Sequence, residues 1–159
     1  MKNSGDSIDM ETGYIVTAPI FLLTIDQKCS LCEESNSVFL MATLNEPCEL
    51  EDAPVATSDE VYMLNYIESL PDDLRVLILQ RHPNYKIERS LTTGTDYYMN
   101  VCKCGGHHGD HYVGNQIFET AFFNPSALRI GKLVNEGSWI IPCNYSYGAC
   151  DRDLLNRAF

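Results

Sequence analysis

The stretch that decides the fold is YYMNVCKCGGHHGDHYVG, residues 97–114. It holds two cysteines one residue apart, Cys102 and Cys104, followed by two glycines and then by three histidines around Asp110. Thiolate sulfurs and imidazole nitrogens are the ligands that zinc prefers in proteins. Glycine directly after a cysteine lets backbone amides approach the sulfur and stabilise its charge. The stretch therefore predicts a metal site, either structural or catalytic.

A second cysteine pair lies upstream, in KCSLCEESN, where Cys29 and Cys32 have the spacing that lets two thiolates in one turn reach a single tetrahedral zinc. Residues 14–26 and 37–44 on either side are rich in β-branched and aromatic residues, which predicts a hairpin with this pair at its tip. A strand at residues 97–101 delivers the second pair. Two strand-borne pairs are typical of a split zinc ribbon. We predict one structural Zn²⁺ on four ligands: Cys29, Cys32, Cys102 and Cys104.

Three other interpretations of these cysteines stay open. In the first, Cys29 and Cys32 form a redox pair, although no strand–helix context of the thioredoxin kind surrounds them. All four would otherwise be ordinary buried thiols. Cys104 and His107 have C-x-x-H spacing, so His107 would replace Cys102 as a ligand. The remaining cysteines are interpreted as isolated thiols: Cys48, Cys143 and Cys150.

Two segments, KCSLCEESNSVFLMATL at 28–44 and SLTTGTDYYMNVCKCGGHHGDHYVG at 90–114, together resemble a group of uncharacterised bacterial zinc-ribbon proteins. Those proteins carry a CxxC before an apolar strand, and later a Tyr-Tyr-x-Asn-x-Cys-x-x-Cys-Gly segment that leads to a Gly-Asp-aromatic stretch. The matching positions are Cys29, Cys32, Tyr97, Tyr98, Asn100, Cys102, Cys104, Gly105, Gly109, Asp110 and Tyr112. AFFNPS at 121–126 is similar to their Phe-Phe-Pro ending.

This chain departs from that pattern by lacking one residue between the cysteines of its second pair, which bears on the geometry of Cys102. The resemblance implies a bound metal and a fold. It implies no reaction.

Helix signals fall between the two cysteine pairs. Ser58 caps a first predicted helix, followed at near-helical spacing by Val61, Leu64 and Ile67. Pro71 starts a second, whose apolar positions are Leu74, Leu77 and Ile78, and Pro83 ends it.

The other apolar segments are predicted strands, and the end of the chain is a predicted helical turn. The strands are 85–91, 97–101, 111–114, 116–123, 127–134 and 138–143, and the terminal turn is 151–159. The predicted fold class is α+β, mainly antiparallel β-sheet with a split zinc ribbon and two short inserted helices. Residues 1–12 are a predicted flexible tail, and residues 13–159 a single zinc-stabilised domain.

The charge balance argues against general nucleic-acid binding. Eleven basic and twenty-two acidic side chains give a net charge of -11, and no run of Lys or Arg is present. Binding to a phosphate backbone depends on such cations. The acidity predicts a well-solvated surface, a protein partner with a basic face, or mimicry of nucleic acid.

The longest apolar run, YIVTAPIFLLTI at 14–25, is too short to span a bilayer and contains Pro19. It has neither a basic region before it nor a small-residue cleavage site after it, so it predicts no signal peptide. Seven cysteines, an odd number, favour thiols and metal ligands over a disulfide framework. We expect a cytoplasmic protein without a membrane segment.

Function is less constrained than the metal. HExxH, GxSxG, P-loop and zinc-deaminase patterns are absent from the sequence. Four cysteines around one zinc leave no open position for water, so the preferred interpretation is a protein-binding or regulatory module, with 107–108 as exposed loop residues and Asp110 as an acceptor for turn amides. One alternative is a zinc-dependent hydrolase or nuclease that uses the cluster His107–His111. Another is an acidic mimic of nucleic acid that inhibits a DNA-binding partner.

Overall fold

The computed structural model describes residues 13–49 and 60–151, the last five as backbone. Its strands are β1 (Tyr14–Thr17), β2 (Ile20–Lys28), β3 (Ser35–Thr43), β4 (Glu60–Asn65), β5 (Tyr85–Arg89), β6 (Asp96–Val101), β7 (His107–His108), β8 (Arg129–Val134), β9 (Ser138–Ile141) and β10 (Asn144–Asp151). Its helices are α1 (Asp72–Arg81), α2 (Asp110–Phe123) and a 3₁₀ turn (Pro125–Ala127). Within the described residues, no helix is long and apolar enough to cross a bilayer.

The strands form three antiparallel sheets. The largest has the order β10-β4-β3-β2-β8, a second has the order β5-β6-β7, and β1 pairs with β9. The fold is therefore α+β and mostly antiparallel, as the sequence predicts. The predicted tail at 1–12 and the terminal helical turn lie outside the described residues, except for Asp151, which ends β10.

The five-stranded sheet buries both faces, because side chains alternate along its strands. On one face Leu23, Leu40 and Val61 pack with Val113 and Ile117 of α2. On the other face Leu22, Phe39 and Met41 pack with the two buried residues of α1, Leu74 and Ile78. One helix thus covers each face of the sheet near its centre.

The predicted helix at 58–67 is wrong, because residues 60–65 form β4. The sequence EVYMLN combines a β-branched and an aromatic residue, and both faces of the strand are buried. Val61 and Met63 are buried on the face of the sheet that packs against α2, and Leu64 is buried on the face that packs against α1. The spacing of three residues between Val61 and Leu64 therefore reflects two opposite faces of a strand.

The predicted strands at 111–114 and 116–123 are also wrong, because both lie in α2. Tyr, Val, Ile and Phe in this segment favour strands, yet the buried residues Asp110, Val113 and Ile117 are spaced three and four apart, which is one face of a helix. The two helices are consequently not both inserted between the cysteine pairs. In the described part of that interval α1 is the one α-helix, and α2 follows the second pair. The predicted helix that begins after Pro71 and ends before Pro83 is confirmed as α1.

A side-chain amide joins the three-stranded sheet to the five-stranded sheet. Asn100 of β6 donates from Nδ2 to the Phe39 carbonyl at 2.9 Å and accepts from the Phe39 N–H at 3.2 Å. Nearby, the Tyr98 N–H donates to the Ile67 carbonyl at 2.8 Å. Asn100 therefore takes the place of a backbone partner at Phe39, where β3 extends beyond its pairing with β4, and it brings the end of β6 beside the β2–β3 hairpin.

Candidate metal centre

Each cysteine pair occupies a tight turn closed by the same two hydrogen bonds. In the first turn the Cys29 N–H donates to the Glu34 carbonyl at 2.8 Å, and the Glu33 N–H donates to the Cys29 carbonyl at 2.9 Å. In the second turn the Cys102 N–H donates to the Gly106 carbonyl at 2.8 Å, and the Gly105 N–H donates to the Cys102 carbonyl at 2.8 Å. The second turn is one residue shorter, which is where its missing residue between the cysteines is absorbed.

Both turns reverse direction through a left-handed residue just before they close. Glu33 has a φ of 66° in the first turn, and Gly105 has a φ of 96° in the second. Glycine adopts this region without a steric penalty, whereas a residue with a Cβ does not. The shorter turn therefore has the residue that suits its conformation, and the longer turn carries strain.

The two turns bring four sulfurs together at the tips of two hairpins. All four Sγ atoms lie within 4.8 Å of one another. Cys29 Sγ is 3.5 Å from Cys104 Sγ, and Cys32 Sγ is 3.5 Å from Cys102 Sγ. Tetrahedral zinc with Zn–S bonds of about 2.3 Å requires sulfurs roughly 3.8 Å apart. The donor set and its spacing thus fit a metal ion such as zinc.

Gly106 is required by this packing for a steric reason. A Cβ at this position would lie 2.5 Å from Cys29 Sγ and 3.5 Å from Cys104 Sγ. Carbon and sulfur do not approach to 2.5 Å without a bond, so any side chain here displaces the Cys29 sulfur. Gly106 therefore lets the second turn lie directly against the first.

The first cysteine of each turn has a lowered pKa. The backbone amides of Cys32 and Leu31 lower the pKa of Cys29, and the Leu31 N–H donates to its sulfur at 3.4 Å. The backbone amide of Cys104, together with the Asn36 side chain, lowers the pKa of Cys102 to about 6. Both sulfurs are thereby favoured as thiolates, the form that binds metals.

The second cysteine of each turn has a raised pKa. The backbone amide of Glu34 acts to lower the pKa of Cys32, but the Cys102 sulfur and burial raise it to about 12. For Cys104, the Gly106 amide lowers the pKa and the Cys29 sulfur raises it, with a net increase. Four thiolates this close repel one another, so a cation among them would favour ionisation of all four.

The three histidines of the segment do not converge. His107 Nε2 lies 3.0 Å from Glu88 Oε1, and His111, on α2, lies 3.4 Å from the Asn115 amide. His108 bonds through Nδ1 to Gln27 Oε1 at 2.7 Å and through Nε2 to Asn36 Nδ2 at 3.1 Å. Both ring nitrogens of His108 are therefore occupied by amide side chains.

The expectation that 107–108 are exposed loop residues is wrong about the loop for both residues, and wrong about exposure for His108. The two residues form β7, which pairs with β6, and His108 is buried. Burial lowers the pKa of His108, which keeps its ring neutral. Asp110 begins α2, and its Oδ2 accepts from the Tyr66 N–H at 2.7 Å, so it bonds a distant amide across the fold.

In the part of the chain that the structure describes, the cysteine quartet is the one group of three or more such ligands at metal-binding distance. The hydrolase alternative therefore gains no support from the histidines and Asp110. Replacement of Cys102 by His107 also gains none, because Cys102 lies in the quartet and His107 pairs with Glu88.

Sequence reasoning missed the residues that support the quartet. Asn36 contacts Cys102 electrostatically and holds His108, which is in turn held by Gln27. Gln27 and Asn36 lie opposite each other in the β2–β3 hairpin, but no spacing in the sequence relates them to His108, because only the fold brings β7 beside that hairpin. Cys48 and Cys143, predicted to be isolated thiols, are buried and are not disulfide-bonded, and the side chain of Cys150 lies outside the described residues.

The sequence matches no known protein-family model, and neither a curated protein nor a solved structure is significantly similar to the chain. Membership of a zinc-ribbon family is therefore not confirmed, and the resemblance stays one of motifs. The metal site is supported by the geometry of the four sulfurs.

Proposed function

We propose that the four cysteines hold one Zn²⁺ and that this zinc is structural. The observation that carries the proposal is the quartet of sulfurs within 4.8 Å. A soft all-sulfur set selects zinc over magnesium, calcium or manganese. When bound, the zinc supplies positive charge that holds four thiolates together. A four-ligand tetrahedral site has no open position for substrate, which distinguishes it from a catalytic one.

The zinc would act as a clasp between two hairpins. Cys29 and Cys104 are 75 positions apart in the chain and are brought together at the tips of β2–β3 and β6–β7. The two hydrogen bonds between Asn100 and Phe39 join the same two hairpins. Zinc binding to such sites contributes about 10–16 kcal/mol to folding in small zinc peptides. The clasp would therefore contribute much of the stability of the three-stranded sheet.

Elemental analysis tests the zinc. We expect one zinc per purified chain, and X-ray absorption with four sulfur neighbours near 2.3 Å. Cys104→Ser should lose the zinc, whereas the matched variant His107→Ala should keep it, because the His107 ring is bonded to Glu88. A nitrogen ligand in the absorption spectrum, or zinc retained by Cys104→Ser, would contradict the proposal.

We further propose that the protein is a cytoplasmic protein-binding module. Three aromatic side chains at the end of α2 are exposed, with fractions of 48% for Phe118, 72% for Phe122 and 79% for Phe123. Clustered exposed apolar side chains support an interaction surface. Beside Phe123 lies the carboxylate of Glu119, and Asp26, which pairs with Arg129 at 3.0 Å, lines the same pocket. The partner that fits presents an apolar side chain next to Lys or Arg, which also suits the net charge of -11.

Affinity capture followed by reconstitution tests this surface. A partner captured by the wild type should be lost with Phe122→Ser/Phe123→Ser and retained with Ile140→Ser, a control that removes an apolar side chain of 52% exposure from β9. The purified partner should then bind the purified wild-type protein with no other component present. Equal binding by both variants would place the interaction elsewhere and contradict the proposal. The nucleic-acid-mimic alternative rests on the net charge and stays a prediction.

A further inference from the structure

A cavity of about 370 Å³ lies between α2 and the strands β4 and β10, away from the cysteines. Its wall includes Tyr66, Asp110, Asn115, Phe118 and Ser146. The volume is in the range of small-molecule sites, which begins near about 300 Å³. The zinc proposal does not use any of these side chains.

Asp110 is the unusual member of this wall. Its Oδ2 accepts from the Tyr66 N–H at 2.7 Å, and its Oδ1 has no hydrogen-bond partner among the described residues. The residue is 2% exposed, so bulk water does not solvate that oxygen. A buried carboxylate oxygen without a donor is costly, and native structures rarely leave one. Burial accordingly raises the pKa of Asp110 to about 7.

The rest of the described wall has no charge that compensates this carboxylate. It contains no Lys or Arg, and its other titratable side chains are Tyr66 and His111. Two aromatic rings, Tyr66 and Phe118, line the same space. An anionic oxygen beside aromatic rings is the environment that stabilises an organic cation, through a charge-assisted hydrogen bond and cation–π contact.

We propose that this cavity binds a primary ammonium group, which pairs with the carboxylate of Asp110 and lies beside Tyr66 and Phe118. An anion is disfavoured because the described wall offers no cation to it. A neutral apolar ligand would leave the carboxylate unpaired. The ammonium has two sources with the same chemistry, a free alkylamine and a lysine side chain.

The test is a ¹⁵N NMR titration of the zinc-loaded full chain at pH 8, where the carboxyl group of Asp110, with its pKa raised to about 7, is ionised. The probes are n-butylammonium, its neutral isostere 1-butanol, and the acetylated amide peptide Gly-Lys-Gly. We expect n-butylammonium to shift the amides of Tyr66 and 110–115 in a saturable manner, and 1-butanol to leave them unchanged. Saturation by the peptide at lower concentration than n-butylammonium identifies a lysine as the ligand, and the reverse order identifies a free amine.

Asp110→Asn keeps an acceptor for the Tyr66 N–H and removes the charge, so ammonium binding should weaken at least tenfold. Glu136→Gln removes the same charge from an exposed position between β8 and β9 outside this wall, and binding should be unchanged. Phe118→Ala, which truncates a side chain that is 48% exposed and so perturbs folding little, should weaken binding severalfold. The proposal is overturned by no saturable shift in the wild type, by equal shifts from 1-butanol, or by undiminished binding in Asp110→Asn.

Discussion

The two cysteine turns perform the same task with different numbers of residues. Both close with an N–H donated by the first cysteine and an N–H returned to its carbonyl, yet the first turn runs from Cys29 to Glu34 and the second from Cys102 to Gly106. Both place a left-handed residue before the close, Glu33 in one and Gly105 in the other. In both, the first cysteine has a lowered pKa and the second a raised one.

The difference between the turns teaches that ligand geometry depends on backbone closure more than on spacing. The shorter turn loses the residue between its cysteines and compensates with two glycines. Gly105 takes the left-handed conformation, and Gly106 leaves room for the Cys29 sulfur. The longer turn needs no such room, and it tolerates Glu33 at a positive φ.

Removing the metal, or one thiolate, should produce the largest effect. Chelation of the wild type, or Cys102→Ser, is expected to lower the free energy of unfolding by more than about 4 kcal/mol, because zinc binding and folding are coupled. Denaturant titration with and without a chelator measures this. As a control, Cys48→Ser removes a thiol outside the quartet, and the chelator should still destabilise this variant as it does the wild type. A chelator with no effect on the wild type would contradict the structural role.

Gly106→Ala should have the next largest effect. Its Cβ would lie 2.5 Å from Cys29 Sγ, so the two turns must separate. We expect zinc affinity to fall about tenfold to a hundredfold and the free energy of unfolding to fall by about 2 kcal/mol. Competition with a chromogenic chelator reports the affinity. The control is Gly94→Ala, at φ 70° with no atom within 4 Å of the added Cβ, which should lose stability without losing zinc affinity.

Exchanging the left-handed residues should give a smaller, opposite pair of changes. Gly105→Ala forces a Cβ into φ 96° in open space, which costs about 1 kcal/mol. Glu33→Gly relieves the same strain in the first turn, and the gain of about 1 kcal/mol is partly offset by the greater chain entropy of glycine when unfolded. Thermal unfolding of both zinc-loaded variants measures the pair. Changes of the same sign would show that the turns do not share this conformation.

His107→Ala should have the smallest effect. The bond of His107 to Glu88 joins two side chains that are 34% and 33% exposed, and pairs near the surface contribute less than about 1 kcal/mol. We expect one zinc per chain and nearly unchanged stability. The comparison variant is His108→Ala, which removes a buried ring together with its hydrogen bonds to Gln27 and Asn36. If His107→Ala destabilised the protein more than His108→Ala, the second turn would depend on His107 in a way the structure does not show.

The quartet could be predicted from the sequence because its information is local. CxxC, CxC and the strands before them are each recognisable within a few residues. Two such cysteine turns at the ends of strands are typical of a shared metal site, so the sequence predicts that the four sulfurs lie together. The hairpin of β2 and β3 is predictable for the same reason, since strand propensity and a turn alternate over one short stretch.

The rest could not be predicted, because packing decided between two patterns that both fit. EVYMLN has helical spacing and strand propensity, and its pairing with β3 and β10 selects the strand. Residues 110–123 have strand propensity and helical spacing, and the apolar face of the main sheet selects the helix. Asn36 carries no sequence signal, and nothing in the sequence predicts that Asp110 accepts from the Tyr66 N–H, because both roles depend on residues that only the fold brings near.

The distance between the two turns along the chain has a consequence for synthesis. Cys29 and Cys104 are 75 positions apart, so the first turn leaves the ribosome well before the second. At a synthesis rate of roughly 5–20 residues per second, the interval is on the order of 4 to 15 s. During that time a hairpin with two unpartnered thiols meets oxidants and competing metal ions alone. If the quartet binds zinc as proposed, successful assembly would therefore depend on a compartment that keeps thiols reduced and supplies zinc while the chain is still being made.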